Sequence, residues 1–205
     1  MNARERSRRE TRRRLIEQGT LLFSEQGVAE TRAIDIARAA GVAVGTLYLH
    51  FKDKYDLLRA ILFEGIEELL ASLRALTENP PPSLPVFVRR HCEIMVFFVE
   101  EHPMLCRVLF DPESVRTNVS TEITEYLVEM QKKRHRAEIK KKELASMPDP
   151  LVSAHAVVGM MLHILDWWTR HPDQITRERL INTLTSLRLS GWYQNKPCIE
   201  KDVSS

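Results

Sequence analysis

Glycine is scarce in this chain, with 7 among 205 residues. Strand-like alternation of apolar and polar residues is nearly absent as well. These two absences exclude a sheet protein with its tight turns, and helical spacing of apolar residues takes their place. Cysteine is rare too. Cys92, Cys106 and Cys198 are odd in number and widely spaced, which excludes a disulfide scaffold and fits free thiols in a reducing compartment. Excess charge of one sign is missing: the formal net charge is +2, so total charge names no partner. Residues 1–14 are charged with no apolar stretch behind them, so no signal peptide is expected. The longest apolar candidate, Leu151–Trp168, carries His155, His163 and Asp166, so no membrane-spanning helix is expected. Apolar residues make up 43% and charged residues 28%, which excludes disorder and collagen. The length suits one large domain or two small ones and buries a core without staples. A cytoplasmic globular protein is the expectation.

A pass along the chain predicts about nine helices in an all-α fold. Leu15, Leu22 and Phe23 carry helical spacing to Gln26, where Gly27 reads as a C-cap. Thr31 is placed to cap a second helix, with Ile34, Ala37 and Ala40 along one face. Gly41 ends it, and a short helix resumes near Val44 and runs to His50. Asp53 caps a further helix continuing to about Thr77. Asn79-Pro-Pro-Pro-Ser83 is the clearest loop. Helices follow over about Leu84–Glu101, Met104–Phe110, Asn118–Leu144, Pro150–Arg170 and on to near Gly191. Breaks at His102-Pro103, Asp111-Pro112 and His171-Pro172-Asp173 separate them. The polar tail Gln194–Ser205 is expected to fray.

Residues 31–51, TRAIDIARAAGVAVGTLYLHF, carry the most chemistry. Two short helices joined by a turn containing glycine form a helix-turn-helix pattern. Ala37 lies where the helices cross, and its small side chain permits close approach. Gly41 takes a turn conformation that strains a residue with a Cβ. Ile36, Val44 and Leu47 are expected to fill the small core. The second helix then offers its outer face to a DNA major groove. Charge distribution agrees. Residues 1–60 hold 12 Lys+Arg against 8 Asp+Glu, whereas the remainder holds 18 against 20. Seven arginines fall within residues 1–14.

Gly45-Thr46-Leu47-Tyr48-Leu49-His50-Phe51-Lys52-Asp53-Lys54, preceded by Ile36-Ala37 and Ala40-Gly41-Val42, resembles the signature of the TetR family of bacterial transcription regulators over about residues 8–60. The resemblance implies phosphate clamps at Tyr48, His50 and Lys54, whose phenol, imidazole and ammonium all donate to phosphate oxygens. Such contacts set register without reading sequence. Base readout is then assigned to Arg32, Ala43, Val44, Gly45 and Thr46. Arg32 suits a guanine edge and Val44 a thymine methyl, while Gly45 admits close backbone approach. Val44 and Leu49 depart from the polar residues common in the family, which shifts weight toward shape readout. The arginine-rich Arg4–Arg14 segment is expected to reach an adjacent groove or to track the backbone.

The remaining chain is read as an effector-binding and dimerisation domain. The resemblance implies a homodimer joined through the last two long helices. Independently, the helix from Leu151 is apolar almost all round, as expected when one side meets its own core and another a second subunit. Ser153, Ala156 and Gly159, with Leu180, Ile181, Leu184 and Leu187 of the last helix, are the expected interface. Two-fold symmetry matches a palindromic operator. Phe87, His91, Met95, Phe98, Phe110, Tyr126, Met130, Met160, His163 and Trp167 are candidate linings for an apolar or aromatic effector. The alternative is that they only fill the core.

The domain division is thus 1–54, DNA-binding head; 55–193, regulatory domain; 194–205, tail. The expected function is a ligand-responsive regulator, most often a repressor in this family, that binds double-stranded DNA as a dimer. No cofactor and no metal are expected. His102 and Cys106, with His91, Cys92, His155 and His163, offer metal ligands without forming a recognisable motif, and a metal sensor stays as an alternative. An effector-independent architectural DNA-binding protein is another. An enzyme with a DNA-binding head has no nucleophile–base pair or phosphate loop behind it.

Overall fold

A computed structural model describes residues 2–140 and 149–193, with side chains described to residue 133 and from 149 to 190. The expected helix end at Leu144, Cys198 and the Gln194–Ser205 tail lie outside the described residues. Among those described, eleven α-helices and one 3-10 turn follow in order, with no strand. The head comprises α1 (Ala3–Gln26), α2 (Ala33–Ala39) and α3 (Val44–His50). The rest comprises α4 (Lys54–Gly65), α5 (Glu67–Glu78), α6 (Leu84–Glu101), α7 (Pro103–Leu109), α8 (Pro112–Arg116), α9 (Val119–Lys140), α10 (Pro150–Arg170) and α11 (Arg177–Tyr193).

Two helices more than expected arise from local causes. The helix starting at Asp53 breaks at Ile66 (φ −90°, ψ 0°). A Cβ at Gly65 would meet Leu105 Cδ2 at 2.6 Å, so the missing side chain is what lets α7 lie against α4. The second addition is α8. Asp111 accepts from the Glu113 amide and Pro112 takes the first helical position, a start signal that reads only as a break in sequence.

At the α1 N-terminus, Asn2 accepts from the Glu5 amide while the Glu5 side chain reaches back to Asn2, a complete capping box. The arginine-rich segment is the first three turns of α1, with its side chains at helical spacing. Thr31 also does other work than capping α2. It is buried, and its hydroxyl donates to the Gly27 carbonyl at 2.7 Å. Arg32 is the N-cap residue, with no side-chain cap bond.

The core is continuous from head to regulatory domain. Leu15, Phe23, Ile36, Ala37, Leu47 and Phe51 meet Leu57, Leu58, Ile61 and Leu62 of α4. Ile36 and Leu47 are buried as expected, whereas Val44 is exposed rather than in the core, and Ile34, expected on one face with Ala37 and Ala40, is exposed while those two are buried. α4 packs against α1, α7 and α9; beyond it α5 and α11 pack on α6, and α9 on α10. Among the described residues α10 is long and apolar enough to cross a membrane. One face of it packs into this bundle, with Ala154, Val157, Val158, Met161 and Leu165 buried.

Candidate functional site

Gly41 joins α2 to α3 at φ +69°, a left-handed turn that only glycine adopts without strain. Leu47 and Ile36 then pin α3 to α2 from within. This leaves one face of α3 outward. Ala43 caps its start, and Ala43, Val44 and Gly45 are exposed, with Thr46 half-buried. Tyr48 is 53% and Leu49 78% exposed. A Cβ on Gly45 would touch nothing within 4 Å, so the backbone there is open to a surface laid against it. Exposed Ile34, Val44 and Leu49 add apolar contact of the kind a thymine methyl takes. Ile34 and Leu49 were not singled out as readers; their signal is large apolar side chains at positions where packing does not need them.

Arg32 projects into solvent and forms a two-nitrogen pair with Asp35, Nε donating at 2.7 Å and Nη2 at 3.1 Å. That pair orients the guanidinium at the start of α2. Further basic residues lie along α1. Arg4, Arg6, Arg8 and Arg9 are exposed along α1 and make no ion pair among the described residues. Arg12 stacks over the Phe51 ring at 5.2 Å while pairing with Glu64. Arg13 is tied to Glu10 and Glu17. Arg8 and Arg12 also lie near His50. Partial burial first, then these two cations, push the His50 imidazole below its usual pKa. That shift favours the neutral imidazole, which has one ring N–H to offer.

Lys54 departs from its expected role. Its ammonium donates to three main-chain carbonyls, Ala29 at 2.8 Å, Val28 at 2.9 Å and Thr31 at 3.1 Å. All three of its protons are taken. The side chain is a staple from the start of α4 to the turn before α2, and it offers phosphate no free donor. Asp53 caps α4 as expected, accepting from the Tyr55 and Asp56 amides.

The corner formed by α7 and α8 touches both the head and the interior of the regulatory domain. Tyr55 donates to Glu113 at 3.0 Å. The Arg116 guanidinium, then the Tyr55 hydroxyl, hold the Glu113 carboxyl down to about 2 against its burial. Asp111 accepts from the Val28 amide at 3.4 Å. On its other side the same corner presents Cys106, Leu109 and Phe110 to a cavity with Met95, Phe98 and Ile123. No sequence motif announced this junction, because its partners are separated by 58 and 83 positions.

The expected effector residues do not form one lining. His91, Met95 and Met130, with Thr77 and Gln131, border a cavity of about 30 Å³. Met95, Phe98 and Phe110 border the neighbouring one of about 20 Å³, and both cavities share Leu127 and Leu162. Each holds little more than a water. Phe110 and His163 line a wider cleft of about 230 Å³ with Thr124 and Asp166. Four residues are corrected. Phe87 is buried beside the His91 ring. Tyr126 points outward and accepts from Arg74. Met160 packs on the core flank. Trp167 stacks on His171 at 5.6 Å between ring centres. Aromatic residues at helical spacing are as useful for packing as for binding, and sequence does not separate the two.

The expected dimer face divides in the same way. Leu180, Ile181 and Leu184 are buried within the protomer because the apolar stripe of α11 packs on α6, and Ser153 of α10 is buried as well. They have no surface left for a partner. Ala156 and Gly159 are exposed on α10, beside Val152 at 64% exposure, and Leu187 is exposed on α11. A Cβ on Gly159 would meet nothing within 4 Å. For the metal alternative, no group of three or more His, Cys, Asp and Glu side chains converges among the described residues.

Comparison with known proteins converges on this head. The family model described as bacterial regulatory proteins, tetR family, matches residues 15–61. The HTH-type transcriptional regulator AcrR of Shigella flexneri is 40% identical over 91 residues, 44% of this chain and 41% of that protein. TtgR of Pseudomonas putida is 35% identical over 88 residues, 43% of this chain and 41% of its own length. The matched segment thus spans about two fifths of these relatives. Solved structures extend the fold similarity further. A fatty acid degradation regulator, FadR of Bacillus halodurans, has a TM-score of 0.76 at 17% identity, covering 87% of this chain and 94% of its own. NalD, the secondary repressor of a multidrug efflux pump in Pseudomonas aeruginosa, has a TM-score of 0.72 at 21% identity, covering 92% and 98%.

Proposed function

By its helix-turn-helix head this chain belongs to the TetR family of bacterial regulatory proteins, and from that premise we propose that it is a cytoplasmic, ligand-responsive repressor that binds a palindromic operator as a homodimer. The observation that carries the reading is the outer face of α3. Its start is open at Gly45, and its exposed side presents Val44, Tyr48 and Leu49; Arg32 is exposed at the start of α2. The side chains that hold the head together point the other way. Residues 1–54 act as the reading head and 55–193 as the regulatory domain. The patch of Val152, Ala156, Gly159 and Leu187 serves as the two-fold contact, where small residues admit close approach of helices.

Regulation follows from linkage. An effector shifts operator affinity only by the difference in its affinity for the two head spacings. The α7–α8 corner is suited to carry that difference, since it borders the interior cavity, holds Val28 of the head and bonds Tyr55 at the start of α4. Because the two interior cavities are about 30 and 20 Å³, an effector needs the space among α5, α6, α9 and α10 to open.

The test is a Gly45→Glu variant. Open space around Gly45 lets the protein keep its fold, with an unchanged melting temperature and circular dichroism. Wild type is expected to bind duplex DNA with two chains per site by sedimentation, and the variant to lose that binding because a carboxylate meets the phosphates. Full DNA binding by the folded variant contradicts the assignment of α3 as the reading helix.

A further inference from the structure

Arg188 of α11 is 3% exposed. Its Nη1 donates to His91 Nδ1 at 3.0 Å and approaches the Cys92 sulfur at 3.8 Å. Among the described residues no carboxylate pairs with it. The acidic residues of the α6–α11 contact are committed elsewhere, Glu178 and Glu93 to Arg89 and Glu100 to Arg177. A guanidinium cannot shed its charge at any working pH, and among the described residues this buried one has no carboxylate counterion. Because Nη1 can only donate, the contact is a hydrogen bond in the tautomer that leaves Nδ1 unprotonated.

His91 is also a wall of the cavity that runs between α6, α9 and α10. That cavity is polar at His91, Thr77 and Gln131, and apolar along Met95, Leu127 and Met161. It therefore has a buried cation behind one polar end and a methionine- and leucine-lined body. We propose that the effector is an amphipathic monoanion, a carboxylate on an apolar tail. Its head enters at His91 and takes over from the imidazole as acceptor for Arg188, and its tail widens the cavity between Met95 and Met161. A carboxylate accepts two parallel N–H bonds from a guanidinium where an imidazole accepts one. The exchange thus supplies the missing counterion, and no covalent step is involved. This inference rests on the ligand-responsive reading above and names the class of ligand.

The experiment is a thermal-shift and calorimetric titration of the full chain with straight-chain carboxylates from hexanoate to dodecanoate. Alcohols of the same chain lengths serve as controls, on wild type, Arg188→Gln and His91→Asn. At least one carboxylate is expected to raise the melting temperature of wild type and to bind at least about tenfold tighter than its alcohol, the scale of a charge-assisted pair. Arg188→Gln is expected to remove that preference, and His91→Asn to keep it, because Arg188 remains. DNA binding by each variant is measured alongside, so that a variant that fails to fold is recognised. Should Arg188→Gln not fold, His91→Asn together with the carboxylate–alcohol contrast in wild type decides. Equal binding of acid and alcohol overturns the anionic head while leaving an apolar effector in place. Absence of binding by every carboxylate, with DNA binding intact, overturns the inference and leaves the DNA-binding reading standing.

Discussion

Replacing Lys54 by methionine separates two roles that sequence alone merges. The methionine keeps most of the apolar stem and removes all three donors. In the structure those donors hold the carbonyls of Val28, Ala29 and Thr31 at 2.8–3.1 Å. Hydrogen bonds from a charged group contribute about 1.5–3 kcal/mol net. The site is half-buried, so the carbonyls regain some water in the variant, and the expected loss is about 2 kcal/mol. For a chain of this size that lowers the melting temperature by roughly 4–8 °C. A phosphate clamp predicts something different. Each lost phosphate contact reduces the slope of log K against log salt by about 0.9, and a dimer loses two. The staple predicts an unchanged salt slope at a temperature where both proteins are folded. Differential scanning calorimetry and fluorescence anisotropy from 50 to 200 mM salt give the two readings. A slope reduced by about 2 with an unmoved melting temperature refutes the staple.

Four further outcomes are expected. Gly41→Ala should cost about 1 kcal/mol in chemical denaturation, because the left-handed turn at φ +69° disfavours a Cβ even though the space around it is open; Gly65→Ala should cost about 1–3 kcal/mol by forcing Leu105 aside, and equal stability to wild type in either case counts against the reasoning. Glu113 titrates at about 2 in the fold against an ordinary 4.5, so the stabilisation it provides is complete above pH 4.5 and is lost as pH falls toward 2. The Glu113→Gln variant should be less stable than wild type at pH 7 and show a shallower loss across that window, and parallel acid-unfolding curves contradict this. Burial pushes the Cys106 thiol up to about 12, so native protein at pH 8 should leave Cys106 unlabelled by a thiol reagent, with peptide mass mapping as the check; rapid labelling places it at the surface.

The head was legible because its signals are local. Ala37, Gly41 and Leu47 answer to sterics within a stretch of eleven residues, and each takes the place its size demands. The start of α4 was legible for the same reason, through the Asp53 cap. What sequence missed depends on distant partners. Nothing near Lys54 tells that three carbonyls from residues 28–31 surround its ammonium. Nothing near Gly65 tells that Leu105 fills the space beside it. Leu180, Ile181 and Leu184 form an apolar stripe that suits a second subunit as well as it suits α6; only the docked helices decide between them. The ring-bearing candidates for the effector site failed in part for the same reason, while Arg188 was passed over because arginine on a helix ordinarily faces water.

The claim on which the account depends is that two copies of α3 read one operator. In vitro selection of the purified protein against random duplex DNA at fixed salt tests it most directly. Two reading heads related by two-fold symmetry should enrich a palindrome whose half-sites are about one helical turn or a multiple of it apart. Binding that enriches no motif contradicts sequence-specific regulation and indicates an architectural role, and enrichment of an isolated half-site contradicts the dimer.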